Sequence, residues 1–184
     1  MSLPQDFYLY GVKSLMIAPL LTDVKATATT YGSWMAVTGV KSIAETPKIV
    51  TSTATGDEIT LAVFNTFQQF DITFDNAVMN LSVIAAINGG TVTDTGTSTT
   101  ETDTYNYDGL SGINNYFKMA FLDKSGTILT TYYKVNGYLT VNQKENTVAT
   151  CSFKGIALTT TGQVNGNQIC KSVVNAASAQ TISS

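Results

Sequence analysis

With no histidine anywhere in this 184-residue chain, the commonest general base is missing, and its thirteen carboxylates and two thiols are the first groups to weigh for acid–base or nucleophilic chemistry. Asp71 and Asp75 are four residues apart in a strand-like stretch, so alternation places both on one polar face. A carboxylate pair can cleave a glycosidic bond, but here a solvated pair is expected, with Asp75 capping the helix that follows. A second acidic set, Asp94, Glu101, Asp103 and Asp108, lies in a polar excursion over residues 94–108. Oxygen-rich loops bind calcium. The fragment Asn106-Tyr107-Asp108-Gly109 resembles part of such a loop, yet Thr104 stands where the leading carboxylate belongs and no distal glutamate follows. A solvated loop without metal is expected.

Cys151 alternates with Thr150 and Ser152 in a strand-like run, where a buried thiol behaves as a small apolar side chain. With Cys170 it permits one disulfide at most, and two free thiols are expected. The chain has no strained Gly-x-Ser-x-Gly turn, and the Thr55-Gly56-Asp57-Glu58 stretch has neither the spacing nor the lysine of a phosphate loop. No catalytic residue, metal or cofactor is expected, and the chain reads as structural rather than enzymatic.

Composition points the same way. Charged residues make up 12% of the chain, against about 25% in typical soluble domains, while about thirty residues are threonine. A surface so poor in charge is usually surface that another chain covers. A net charge of −3 with scattered lysines supplies no basic footprint for nucleic acid. The apolar run Leu15–Leu21, followed by Ala26-Thr27-Ala28, has the outline of a secretion leader, but Pro19 interrupts it, Asp6 replaces a basic start, and Asp23 and Lys25 separate run from site. No apolar run exceeds seven residues, so no membrane-spanning helix is expected.

The elements that must carry these residues are mostly strands. Phe70, Ile72 and Phe74 alternate with Asp71 and Thr73. The period then changes: Val78, Leu81, Ile84 and Ala85 fall at helical spacing, with Met79, Val83 and Ile87 widening the stripe, while Asn76, Asn80 and Asn88 stay polar. This predicts one helix over about 76–88, capped by Asp75 or Asn76, stopped by Gly89-Gly90 and packed on a sheet. Val12–Leu21, Thr38–Ile49 and Thr60–Thr66 are predicted strands, the last two joined by a long polar tip over residues 50–58. Tyr116–Leu122, Thr127–Tyr133, Val135–Val141 and Val148–Leu158 read as consecutive strands with turns at Lys124-Ser125-Gly126, Asn136-Gly137 and Lys144-Glu145-Asn146. The expected whole is one mainly β domain, sandwich- or barrel-like, with an N-terminal arm (1–10) and a C-terminal arm (about 159–184).

The order of these elements and several local strings resemble the major tail tube proteins of long-tailed bacteriophages, the non-contractile group above all. The strings are Tyr10-Gly-Val-Lys-Ser-Leu-Met-Ile-Ala-Pro19, the run from Trp34 through Thr38-Gly-Val-Lys-Ser-Ile-Ala-Glu-Thr-Pro-Lys48, the Gly56-Asp57 tip, and the Phe70–Phe74 strand leading into the helix. The resemblance covers roughly residues 8–160. It implies a virion tail protein, assembled in the host cytoplasm, whose hexameric rings share a continuous barrel and stack into a tube around the tape-measure protein. Tail-tip or baseplate and tail-terminator proteins would bound the tube, and DNA would pass its lumen without specific binding. By position, the stacking loop would comprise Thr51, Ser52, Thr53, Thr55, Gly56, Asp57 and Glu58. The lumen face is left open between Asn136, Thr140 and Asn142 on one hand and Asp71 and Thr73 on the other, or neither. Two rival readings are a type VI secretion-like tube and a secreted β-sandwich carbohydrate-binding module, with Trp34, Tyr105, Tyr107, Tyr132 and Tyr133 stacking on sugars.

Overall fold

A strand with one covered face needs a neighbour on each side and a lid, and the computed structural model shows how this chain provides them. It describes residues 11–56, 59–77, 80–96, 102–107, 115–142, 150–162, 169–174 and 181–182. The main sheet is antiparallel throughout and runs in the order β2 (Thr30–Tyr31), β1 (Val12–Thr22), β8 (Tyr116–Asp123), β9 (Ile128–Asn142), β10 (Thr150–Ala157), β5 (Ile59–Asn76), β4 (Val40–Gly56). β3 (Met35–Val37) pairs beside β1, and β11 (Cys170–Val174) pairs beside β9. The sheet curls so that β4 lies against β1. A separate ribbon joins β6 (Thr91–Thr95) to β7 (Thr102–Asn106). The fold is mainly β with a single helix, α1 (Leu81–Asn88), among the described residues.

Alternation on each central strand delivers one face to a common core: Leu15 and Ile17 from β1, Phe117 and Met119 from β8, Phe153 from β10, and Ile72 and Phe74 from β5. Phe153 is the hub. It stacks on Phe74 at 4.7 Å between centroids and meets Phe117 edge-on at 5.8 Å. Its ring fits because Gly137 of β9 lies directly opposite Gly155 of β10; a Cβ on Gly137 would come within 2.6 Å of the Phe153 ring. Asn136-Gly137 is therefore not the predicted hairpin turn, and β9 runs straight through it as one 15-residue strand. The expected turn at Lys124–Gly126 is present, with Gly126 at φ 77°.

The helix begins later than its pattern suggests. β5 keeps its ladder to the end, pairing Asp75 with Ser152 and Asn76 with Cys151, so neither residue caps α1. Asn80 does: its side-chain oxygen accepts from the amides of Ser82 at 3.0 Å and Val83 at 3.4 Å. Gly89, at φ 82°, ends the helix and returns its amide to the Ala85 carbonyl. Val83, Ile84 and Ile87 are buried, whereas Leu81 and Ala85 are half-buried; Val78 lies outside the described residues. Asn88, one of the polar residues beside the apolar stripe, clamps the helix to β9. Its amide donates to the Leu139 carbonyl at 2.9 Å and accepts from the Leu139 amide at 2.7 Å.

Two segments predicted to be loops are strands. β4 and β5 stay paired from Val40–Asn76 to Gly56–Ile59, so residues 50–56 of the expected polar tip are strand; Asp57 and Glu58 lie outside the described residues. The reason is chemical: Val50, Thr51, Thr53 and Thr55 are β-branched, and polarity does not stop a β-branched run from pairing. Likewise Asp94 and Thr95, and Thr102–Asn106, belong to the β6–β7 ribbon rather than to an open loop. Cys170–Val174, placed in the C-terminal arm by composition, pairs with Ile128–Tyr132 of β9. The N-terminal arm, residues 1–10, falls outside the described residues.

Candidate functional site

The buried carboxylates are occupied by structural donors. Asp23 faces Lys134 at 2.6 Å and accepts from the amides of Thr161 and Gly162 at 2.8 and 2.7 Å. Burial alone would raise its pKa, but these donors outweigh burial and lower it to about 2. The cluster ties residues 161–162 to the segment after β1. Asp123 accepts from Ser125, Thr127 and Ile128, closing the β8–β9 turn, and its carboxyl is likewise held low against the opposing effect of burial. Asp71 and Asp75 are exposed on the outer face of β5, with Gln69 donating to Asp71 at 2.6 Å. Both cysteines are free, and Cys151 is part of the core. Among the described residues, no group of three or more potential ligands could hold a metal ion, and no helix is long and apolar enough to cross a membrane.

A cavity of about 650 Å³ lies at the seam where β4 approaches β1, lined by Val12, Ile43, Glu45, Phe121, Asp123 and Ile128 among others. Partial removal from water pushes the Glu45 carboxyl upward, opposed by a hydrogen bond from the Tyr132 hydroxyl. That pairing fastens β4 to β9 and offers no nucleophile or second base.

The hairpin formed by the distal halves of β4 and β5 stands apart from this core. Every described side chain from Thr46 to Thr55 and from Val63 to Gln68 is exposed. Thr51, Ser52, Thr53 and Thr55, expected on a loop, are strand residues on the first arm; Thr51 bonds Asn65 across the ribbon at 2.7 Å. Gly56 ends β4. The residues missed by sequence reasoning are apolar ones: Ile49, Val50, Val63, Phe64 and Phe67 lie in the open, Phe64 at 57% exposure. The available signal was the unbroken apolar run through Val63-Phe64, since adjacent strand residues point to opposite faces and cannot share one core. With Ile49 paired to Phe67 and Ser52 to Phe64, the ribbon carries apolar groups on both sides.

Alternation also joins the two polar sets left open by sequence. Asn136, Thr140 and Asn142 of β9 and Asp71 and Thr73 of β5 flank β10 on the same face, opposite the core, together with Tyr138 and Lys154. The aromatic platform for sugars does not form. Tyr132 and Tyr133 are buried, Tyr105 packs against the core with its hydroxyl on the Gly89 carbonyl at 2.6 Å, and the Trp34 ring lies 5.0 Å from the Lys118 ammonium. Of the five, Tyr107 alone is largely exposed.

No protein-family model and no curated protein matches the chain. Among solved structures, a chain of the anti-feeding prophage baseplate, determined by cryo-electron microscopy with six-fold symmetry, aligns over 95% of this chain and 98% of its own at 8% sequence identity and a TM-score of 0.38. No functional assignment follows from a likeness of that degree.

Proposed function

We propose that this chain is a structural subunit that assembles with copies of itself into rings stacked as a tube of the bacteriophage-tail kind. The observation that carries the proposal is the β4–β5 ribbon. It exposes five large apolar side chains on a two-stranded hairpin with no core beneath it, and an isolated ribbon of that kind is marginal in water. Surface of this sort marks an interaction site. The open outer edge of β4, and the short strands β2 and β3 at the other end of the sheet, are the unpaired edges that closure between copies removes. The polar, sparsely charged face of β9, β10 and β5 suits the wall of a conduit: Lys154 pairs with Thr73 there, with Asp71 and Asp75 two residues to either side on β5, leaving no basic track for phosphate. In such a tube the hexameric rings would enclose a tape-measure protein during assembly and pass DNA afterwards.

The test is negative-stain electron microscopy with light scattering on purified protein. Rings or tubes of uniform diameter are expected. A chain in which Val50–Thr66 is replaced by Asn-Gly should remain folded by circular dichroism and lose assembly. Wild-type protein that stays monomeric, including after addition of tail-tip components, would remove the proposal.

A further inference from the structure

Lys118 is a cation with an unusual setting. Its ammonium lies 5.0 Å from the ring centroids of Tyr31 and Trp34 and 6.0 Å from that of Tyr133. Ring faces attract a cation but carry no net charge. Burial lowers the Lys118 pKa, and the carboxylate whose field reaches Tyr31, Asp23, is committed to Lys134. Tyr31 supplies no counter-charge, since burial first and then Asp23 and Tyr133 push its pKa up to about 12 and its hydroxyl donates to the Tyr133 carbonyl at 3.0 Å. The Lys134–Asp23 contact is the only ion pair among the described residues. Beside Lys118 a cavity of about 710 Å³ is lined by Ala18, Tyr31, Gly32, Ser33 and Trp34. The pocket therefore holds a cation, aromatic walls and room, without an anion among the described residues.

The β6–β7 ribbon shows the converse. Asp94 and Asp103 are direct cross-strand partners and both are exposed. Side chains opposite each other in an antiparallel pair lie on one face with Cβ atoms about 5 Å apart, and like charges so placed destabilise the pair. No described cation relieves them.

We infer that the Lys118 pocket receives the Asp94 and Asp103 carboxylates of a second copy of this chain, joining copies head to tail. The topology forbids the same contact within one chain. Lys118 points away from the face that Phe117 and Met119 present to the core, whereas the ribbon leaves from the end of α1 on the core side, held there by Tyr105 on Gly89. Pocket and ribbon thus occupy opposite faces of the sheet. A contact between two different patches is heterologous, and such contacts close into rings or continue as filaments. This inference rests on the self-assembly proposed above and assigns one of its contacts.

Trp34 is the sole tryptophan, so its emission reports on the pocket. Sedimentation velocity and tryptophan fluorescence would be followed against protein concentration for the wild type, Asp94→Asn/Asp103→Asn, and Lys118→Met. The wild type should associate with a change in Trp34 emission, and added salt should weaken both. The double asparagine variant, altered only on an exposed ribbon, should need about tenfold more protein to associate and lose the emission change. Lys118→Met should behave likewise. Mixing the two variants supplies one intact acidic ribbon and one intact pocket, and should restore the emission change that neither shows alone. Association of the double asparagine variant at wild-type concentrations, or wild-type association with unchanged emission, would overturn this contact while leaving self-assembly standing. A wild type that never associates would overturn both.

Discussion

The β4–β5 hairpin is one antiparallel ladder with two fates. In its proximal half, Phe70, Ile72 and Phe74 enter the core beside Phe153 and Tyr132. In its distal half, beyond the bulge after Lys48, Ile49, Val63, Phe64 and Phe67 have the same apolar character and no cover. The backbone pairing is equivalent in both halves. What differs is whether a third layer lies over one face. Hydrogen bonding shapes the ribbon, but burial of apolar surface is what stabilises a sheet, so the distal half is strand by local preference and awaits a partner for its stability.

That contrast can be broken most forcefully at the core end. Phe153→Ala should lower unfolding free energy by about 3–5 kcal/mol in denaturant titrations, since its ring contacts Phe74 and Phe117 and covers the Gly137–Gly155 pair. A loss near 1 kcal/mol would place the hub elsewhere. Ile87→Ala, at 0% exposure on the inner face of α1, should cost about 2–4 kcal/mol. Leu81→Ala, half-buried at the first turn, should cost less than Ile87→Ala, and the reverse order would mean that the helix is rotated.

Acid should act on the body and spare the arm. The folded-state pKa of Asp23 is depressed to about 2, below its unfolded value, so its contribution is present above the unfolded pKa of roughly 4 and is lost as pH falls through the folded one. Asp123 shifts in the same direction. Stability measured by thermal melts should therefore decline between about pH 4 and pH 2, and Asp23→Asn should flatten that decline. Asn80→Ala, which removes the helix cap, should cost about 1 kcal/mol. The smallest effect on the isolated chain is expected in the arm: Phe64→Ser should change its stability by less than about 0.5 kcal/mol while weakening assembly. A monomer destabilised by several kcal/mol would show that the arm is part of the core after all.

Much of this was legible in the residues and some of it could not have been. The strands at Phe70–Phe74 and Tyr116–Leu122 announce themselves by alternation, and the glycine stop at Gly89-Gly90 lies where the helical stripe ends. The helix starts later than its pattern predicts because Asp75 and Asn76 are good caps in isolation, yet their backbone is already committed to the ladders with β10 and β4. Asn136-Gly137 has the chemistry of a tight turn, but a neighbouring Gly155 and the Phe153 ring give the glycine another use. Lys118 carries no local signal, since its aromatic neighbours come from two stretches, Tyr31 with Trp34 far upstream and Tyr133 on the next strand.

The sequence alone determined the class of the molecule: a threonine-rich, charge-poor, histidine-free chain of alternating strands with one short helix. Those are properties of composition and local period, which each residue carries wherever it folds. The tertiary structure alone decided which apolar residues are covered and which are offered outward, that the polar sets of β5 and β9 share one face, and that the cation at Lys118 and the carboxylates at Asp94 and Asp103 lie on opposite sides of the sheet. Burial and charge complementarity depend on what stands opposite a side chain in space, and pairing between distant strands is what settles that.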